Sequence, residues 1–169
     1  MVTGVKMKPA LLVIDVQKAY FSPATQSSLD NAIEYINAAI EIFRKKGLPV
    51  ISVQHMNRED GHIPGNEGFD LPESLKINPD DLHIHKEYGN SFTKTPLAEE
   101  LKKLGVDIVI LTGFCAEYCV LSTYRGALDL DLSPILLRNS LASPSSKNIR
   151  FVESISEIIS YGALEKLLG

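Results

Sequence analysis

A thiol at the start of a helix is chemically predisposed, and Cys119 occupies such a position. The stretch Gly113-Phe-Cys-Ala-Glu-Tyr-Cys-Val120 follows the apolar run Ile108-Val-Ile-Leu111 and leads into helix-compatible sequence, which predicts a strand-to-helix turn. Free amides and the dipole of a helix N-terminus favour an anion, so Cys119 is expected to be a nucleophile with a pKa below that of a free thiol. Two further residues share this kind of placement. Asp15 ends Ala10-Leu-Leu-Val-Ile14, and Lys86 ends Leu82-His-Ile-His85. An acid, a lysine and a thiol supply a base, a fixed cation and a nucleophile for attack on a carbonyl. Each alone has an ordinary explanation: a cap, a solvated cation, a small core residue. Their joint placement after strands points to catalysis.

The elements that must hold them alternate along the whole chain, the pattern of a parallel sheet with helices on both faces. Strands are expected at residues 10–14, 48–53, 82–85, 108–111, 134–137 and 156–159. A helix is expected from about Ser28 to Lys46, with Leu29, Ile33, Ile36, Ile40 and Phe43 at steps of three and four and Gly47 as its stop. A second begins after Thr95 and Pro96, with Leu97, Leu101 and Leu104 as its stripe; a third carries Cys119, Val120, Thr123 and Ala127; a last covers Ala163 to Leu168. The connection from about Met56 to Asp81 holds several Gly and Pro, and its length suits a segment that covers a site or reaches a neighbouring subunit. In a doubly wound sheet of order 3-2-1-4-5-6, strands 1 and 4 are neighbours where the order reverses. Asp15, Cys119 and the long side chain of Lys86 then meet at the carboxyl edge, in the crevice where such sheets bind ligands.

Composition narrows the classes. The 169 residues, 44% hydrophobic and 22% charged, suit one domain over 1–169, and the net charge of −4 without a long Lys/Arg cluster argues against a nucleic-acid partner. Asp15 interrupts the first apolar run too early for a signal peptide or membrane span, and two cysteines cannot build a secreted disulfide framework, so a cytoplasmic protein is expected.

Three separated motifs resemble the isochorismatase-like cysteine hydrolase superfamily, which includes nicotinamidases and N-carbamoylsarcosine amidases. They are Leu12-Val-Ile-Asp-Val-Gln17, Lys86 with Asn90-Ser-Phe92, and Gly113 to Val120. The resemblance implies an isochorismatase-like, Rossmann-like three-layer fold and a catalytic triad of Asp15, Lys86 and Cys119. It also implies a cis peptide between Phe114 and Cys115 and an oxyanion hole from the backbone amides of Cys115 and Cys119. The implied reaction is hydrolysis of an amide-like carbon–nitrogen bond in a small molecule through a thioester, without a cofactor, in a closed homo-oligomer.

Departures from the family pattern refine this. Nicotinamidases of the family hold a metal through an Asp-x-His and further histidines, where this chain has His55, Asn57 and His62, so no metal is expected. Isochorismatases, which cleave a vinyl ether, lack the cysteine, and Cys119 therefore favours the amidase branch. Asn139 stands where many relatives have Asp. Gln17, Phe21, Tyr88, Phe92 and Tyr118 lie close in sequence to the triad and form a candidate substrate pocket, with Arg58 or Arg125 as candidate partners for a carboxylate. Three other readings stay open: an isochorismatase-type vinyl ether hydrolase, a thiol redox protein using Cys115 and Cys119, and a binding domain without catalysis.

Overall fold

The computed structural model describes residues 7–169. Six parallel strands form one sheet: β1 (Pro9–Ile14), β2 (Val50–His55), β3 (Leu82–Lys86), β4 (Ile108–Phe114), β5 (Ser133–Ala142) and β6 (Ile158–Ile159). Their order is β3-β2-β1-β4-β5-β6, with the reversal between β1 and β4 as the alternating pattern predicts. All six residues of β1 are buried, because helices cover both faces of the sheet. Successive side chains therefore serve different cores. Ala10, Leu12 and Ile14 pack with Ile84, Leu97, Leu101, Val120 and Val152, while Leu11 and Val13 pack with Leu29, Ile33, Ile36, Ile40 and Phe43.

The helices are α1 (Gln26–Lys45), α2 (Leu97–Lys103), α3 (Leu121–Asp129), α4 (Ser146–Ser154) and α5 (Tyr161–Leu168). The α1 stripe is the expected one, and Gly47 follows the helix at φ 63°. Helix α4 has no counterpart among the sequence expectations: of Ser-Lys-Asn-Ile-Arg-Phe-Val-Glu-Ser only three residues are apolar, and only Val152 is buried. Strand β5 runs past the expected Leu137 to Ala142 through an irregularity, since Leu111 pairs Leu136 whereas Gly113 pairs Leu141. Asn139 lies within it at φ 69°, and its carbonyl accepts a bond from Asn31 Nδ2 (3.2 Å). It shapes the strand. Among the described residues no helix is long and apolar enough to cross a membrane.

The long connection after β2 is fastened along its length. Asn57 and His62 bridge each other, Gln54 Nε2 donates to the carbonyl of Phe69 (2.9 Å), and the Asn37 side chain of α1 bonds the backbone at Ser74 and Lys76 (2.8 Å each). Leu75 is buried in the α1-side core. The segment is thus part of this chain's own packing.

Gly113 marks the tightest approach of the fold. Its φ is 113°, it pairs with Ile14, and a Cβ there would lie 2.0 Å from the Ile14 carbonyl oxygen. Since neither backbone can yield, Gly113→Ala is expected to destabilise the protein by about 3 kcal/mol or more. Urea unfolding measures this, and an unchanged midpoint would contradict the constraint.

Candidate active site

Asp15 follows the last residue of β1, with φ 53° and its amide donating to the Val53 carbonyl (2.8 Å). Its side chain is fully enclosed. Lys86 Nζ donates to Asp15 Oδ2 at 2.8 Å, and the two side chains are 0% and 1% exposed. The same ammonium donates to the Tyr88 carbonyl (3.0 Å) and meets His55 Nδ1 (3.2 Å). An ammonium has three protons, and all three are engaged. Lys86 therefore fixes Asp15 and has no donor left for a reacting oxygen. His55, paired with Lys86 in the sheet register, bridges the strand between them. Burial first, and then Lys86, lowers the His55 pKa, so the ring is neutral and Nδ1 is its accepting nitrogen.

The loop after β3 keeps the Tyr88 carbonyl in position. Ser91 donates its amide to Thr123 Oγ1 of α3 (3.0 Å) and its hydroxyl shares a second bond with the same atom (2.8 Å). Asn90 lies directly over Gly126, where a Cβ would come within 2.3 Å of its Nδ2. The lysine segment is thus clamped to the helix that follows the nucleophile.

Between β4 and α3 the chain makes a π-helical turn over Ala116–Val120, preceded by a cis Phe114–Cys115 bond. The Cys115 carbonyl accepts from the amides of Tyr118 (3.1 Å) and Val120 (3.2 Å), passing over that of Cys119. Cys119 is half-buried. Its Sγ, a carboxylate oxygen of Asp15 and a ring nitrogen of His55 all lie within 4.8 Å of one another. Asp15 Oδ1 is buried without a hydrogen-bond partner. The charges of this group correct the expected low thiol pKa: burial, then the Asp15 charge, push Cys119 up to about 12 against the opposing Lys86. Burial also raises Asp15, and Lys86 only partly offsets it. The raised thiol thus lies beside a carboxyl group that Lys86 holds through Oδ2.

The candidate pocket residues separate. Gln17 is wholly buried and clamps the His55 backbone from both sides, donating to its carbonyl (3.0 Å) and accepting from its amide (2.7 Å), so it is a strand tie and no pocket wall. Phe21 packs on the α1-side core, and Phe92 on the opposite one. Tyr118 is 68% exposed and points away from the packed turn. Tyr88 contributes its carbonyl to Lys86, while its hydroxyl accepts from Lys94 (2.9 Å). Arg58 is largely exposed and pairs with Glu87, and Arg125 lies over the Tyr124 ring. An aromatic pair outside the expected set adjoins the turn: Tyr20 stacks on Phe114 at 5.0 Å, with His62 edge-on to Tyr20. Asp15 and Cys119 both act on the Tyr20 hydroxyl, whose pKa is raised, by burial first.

The residues at the nicotinamidase-type metal positions already have partners within the protein. Asn57 closes the 58–60 turn through bonds to Asp60 and to the amides of Glu59 and Asp60, while His62 packs on Tyr20. Among the described residues the grouping within ligating reach is Asp15, His55 and Cys119, where the Lys86 ammonium already occupies Asp15 Oδ2 and His55 Nδ1. This donor set does not fit such a metal.

A doubly wound sheet with an acid, a lysine and a thiol meeting at its switch point defines a class of α/β proteins. A family model of the isochorismatase domain matches residues 9–153, and the chain belongs to that family. It is 34% identical over 140 residues to the isochorismatase family protein YrdC of Bacillus subtilis, covering 80% of this chain and 74% of the relative. Nicotinamidase 3 of Arabidopsis thaliana is 28% identical over 134 residues, 70% of this chain and 65% of the relative. The structure of N-carbamoylsarcosine amidase from Thermoplasma acidophilum shares the fold, with a TM-score of 0.80 at 24% identity over 92% of this chain and 97% of the other. The protein is an isochorismatase-family hydrolase related to amidases.

Two outcomes follow from the electrostatics. With the thiol pushed up to about 12, the ultraviolet thiolate difference between wild type and Cys119→Ala should be absent through neutral pH; a thiolate band there would overturn the neutral-thiol assignment. Lys86→Ala strips a buried carboxylate of its partner and should cost about 3–5 kcal/mol in denaturant unfolding, because an uncompensated charge remains inside.

Proposed function

We propose that this protein hydrolyses an amide-like carbon–nitrogen bond in a small molecule through a thioester on Cys119. The observation that carries the reading is the division of labour within one carboxylate. Asp15 Oδ2 is held by Lys86, while Oδ1 is buried and unpartnered in a cluster with the Cys119 thiol. A buried acceptor without a partner is costly unless a proton comes to it during reaction.

In the proposed sequence Asp15 takes the thiol proton as Sγ attacks the carbonyl carbon, and the amides of Cys115 and Cys119 receive the oxyanion. Collapse breaks the carbon–nitrogen bond, and Asp15 passes its proton to the departing nitrogen. Water then attacks the thioester, Asp15 accepts its proton, and cleavage of the carbon–sulfur bond returns that proton to Sγ. Each such oxyanion donor contributes about 3 kcal/mol to the transition state. Lys86 holds the base in one orientation throughout. The names of the relatives, a nicotinamidase and an N-carbamoylsarcosine amidase, support this bond type. Cys115 serves poorly as a redox partner for Cys119, because its thiol donates to Glu117 Oε2 (3.0 Å) and burial first pushes its pKa up to about 12. A cytoplasmic location goes with the two free cysteines.

The decisive measurement is a screen of nicotinamide, carbamoylated amino acids, ureidoacrylate and isochorismate, reading ammonia and product by mass. Turnover of an amide by wild type, lost in Cys119→Ala and Asp15→Asn, with a Cys119 acyl adduct in quenched samples, is the expected result. Activity retained in Cys119→Ala would refute the thioester. For assembly we propose a homo-oligomer, supported by exposed Tyr118 and Phe151 at 68% and 58%. Light scattering should return a multiple of 18.6 kDa, and a fully active monomer would exclude it.

A further inference from the structure

Glu117 lies two residues before the nucleophile, and its side chain gathers three donors from three places. Cys115 Sγ donates to Oε2 (3.0 Å), Ser143 Oγ to Oε1 (3.0 Å), and Asn148 Nδ2 to Oε1 (2.5 Å). Ser143 directly follows β5, and its hydroxyl also accepts the Ser145 amide (3.1 Å); Asn148 lies in the first turn of α4. One carboxylate therefore ties the π-helical turn to the β5–α4 connection and, within the turn, ties the Cys115 side chain back across its own two peptide units. No catalytic step described above uses Glu117.

The geometry points to Glu117 as a positioning residue for the oxyanion-binding amides of Cys115 and Cys119. Its anionic form suits this task, since three donors converge on it and it has nothing to donate in return. The turn it restrains is irregular: the Cys115 carbonyl is shared by the Tyr118 and Val120 amides, an arrangement with one more residue per loop than an α-helical turn allows. An amide in such a turn reaches a developing oxyanion only if the turn keeps this shape, and an error near 1 Å in a reacting geometry costs on the order of a hundredfold in rate. Helix α4 gains a purpose from the same contact. It buries little apolar surface, with Val152 alone enclosed, yet it presents Asn148 to the turn. Replacing Glu117 by Gln keeps the shape but turns an NH2 toward one of three donors, which loosens the tie.

The inference rests on the proposed thioester chemistry, and two reactions of Cys119 separate the possibilities. Acylation by p-nitrophenyl acetate forms the sulfur–carbonyl bond through an oxyanion, expels p-nitrophenolate and leaves the thiol proton with Asp15. Alkylation by iodoacetamide forms a sulfur–methylene bond and expels iodide without any oxyanion. Burst kinetics of the ester and mass-resolved alkylation are measured on the full-length protein, with peptide mapping to Cys119. Wild type should acylate at Cys119, and Glu117→Gln should acylate about tenfold or more slowly while alkylating within about twofold of wild type. Asn148→Ala, which removes one donor and leaves the carboxylate, should show the same split to a smaller degree, and it serves the test if Glu117→Gln does not fold. Equal acylation in wild type and variants overturns the positioning role. A parallel loss of both reactions overturns it too, because that is general disruption. If wild type is not acylated at Cys119, the thioester reading itself fails and the inference falls with it, an outcome distinct from the other two.

Discussion

The buried pair of Lys86 and Asp15 is the interaction on which the rest depends. A carboxylate and an ammonium removed from water each lose several kcal/mol of hydration, which only close geometry and full hydrogen bonding recover. The fold meets that condition through many separate restraints. β3 and β1 are fixed on either side of β2, His55 and the Tyr88 carbonyl take the remaining lysine protons, and the Ser91–Thr123 bonds hold the loop that carries Tyr88. Gln17 pins the backbone of His55. Removing a tie at any of these points would leave a charge or a donor unsatisfied in the interior.

The pair also explains why the thiol is neutral. A helix start and a lysine alone would favour a thiolate. Here burial comes first in raising the half-buried thiol and the Asp15 charge second, with Lys86, bonded to Asp15, opposing them. In the proposed reaction, proton transfer is thereby deferred: the thiol keeps its proton until a carbonyl carbon arrives to share the sulfur's electrons. Stabilising the base in place of the nucleophile is a consistent use of a single cation.

Much of this was readable in the residues. Strand order, the α1 stripe and the meeting of Asp15, Lys86 and Cys119 follow from apolar runs whose ends carry polar groups, a strong local signal. The losses have identifiable causes. Helix α4 is held by Asn148 and Val152 and shows no apolar stripe, and β5 continues past Leu137 because an irregularity that periodicity does not encode realigns Leu141 with Gly113. The tie that Gln17 makes to the His55 backbone and the exposure of Tyr118 depend on tertiary surroundings that nearness in sequence does not encode, while Phe92 packs against the same core as Cys119. Tyr20 and Glu117 were overlooked because an aromatic in a short 3-10 turn and an acid on a helix start look ordinary until their partners, Phe114 and Asn148, come from distant segments.

The saturation of the Lys86 ammonium bears on the end of the reaction as well. In the proposed resting state the Lys86–Asp15 ion pair balances itself, and the centre carries no net charge before an uncharged amide enters. The proposed hydrolysis would replace that guest by an acid, which ionises in water, and the three protons of the ammonium are already engaged. That anion would face the carboxylate of Asp15, whose ammonium partner is already paired. In the proposed reaction, the wiring that secures the base therefore also favours departure of the product carboxylate.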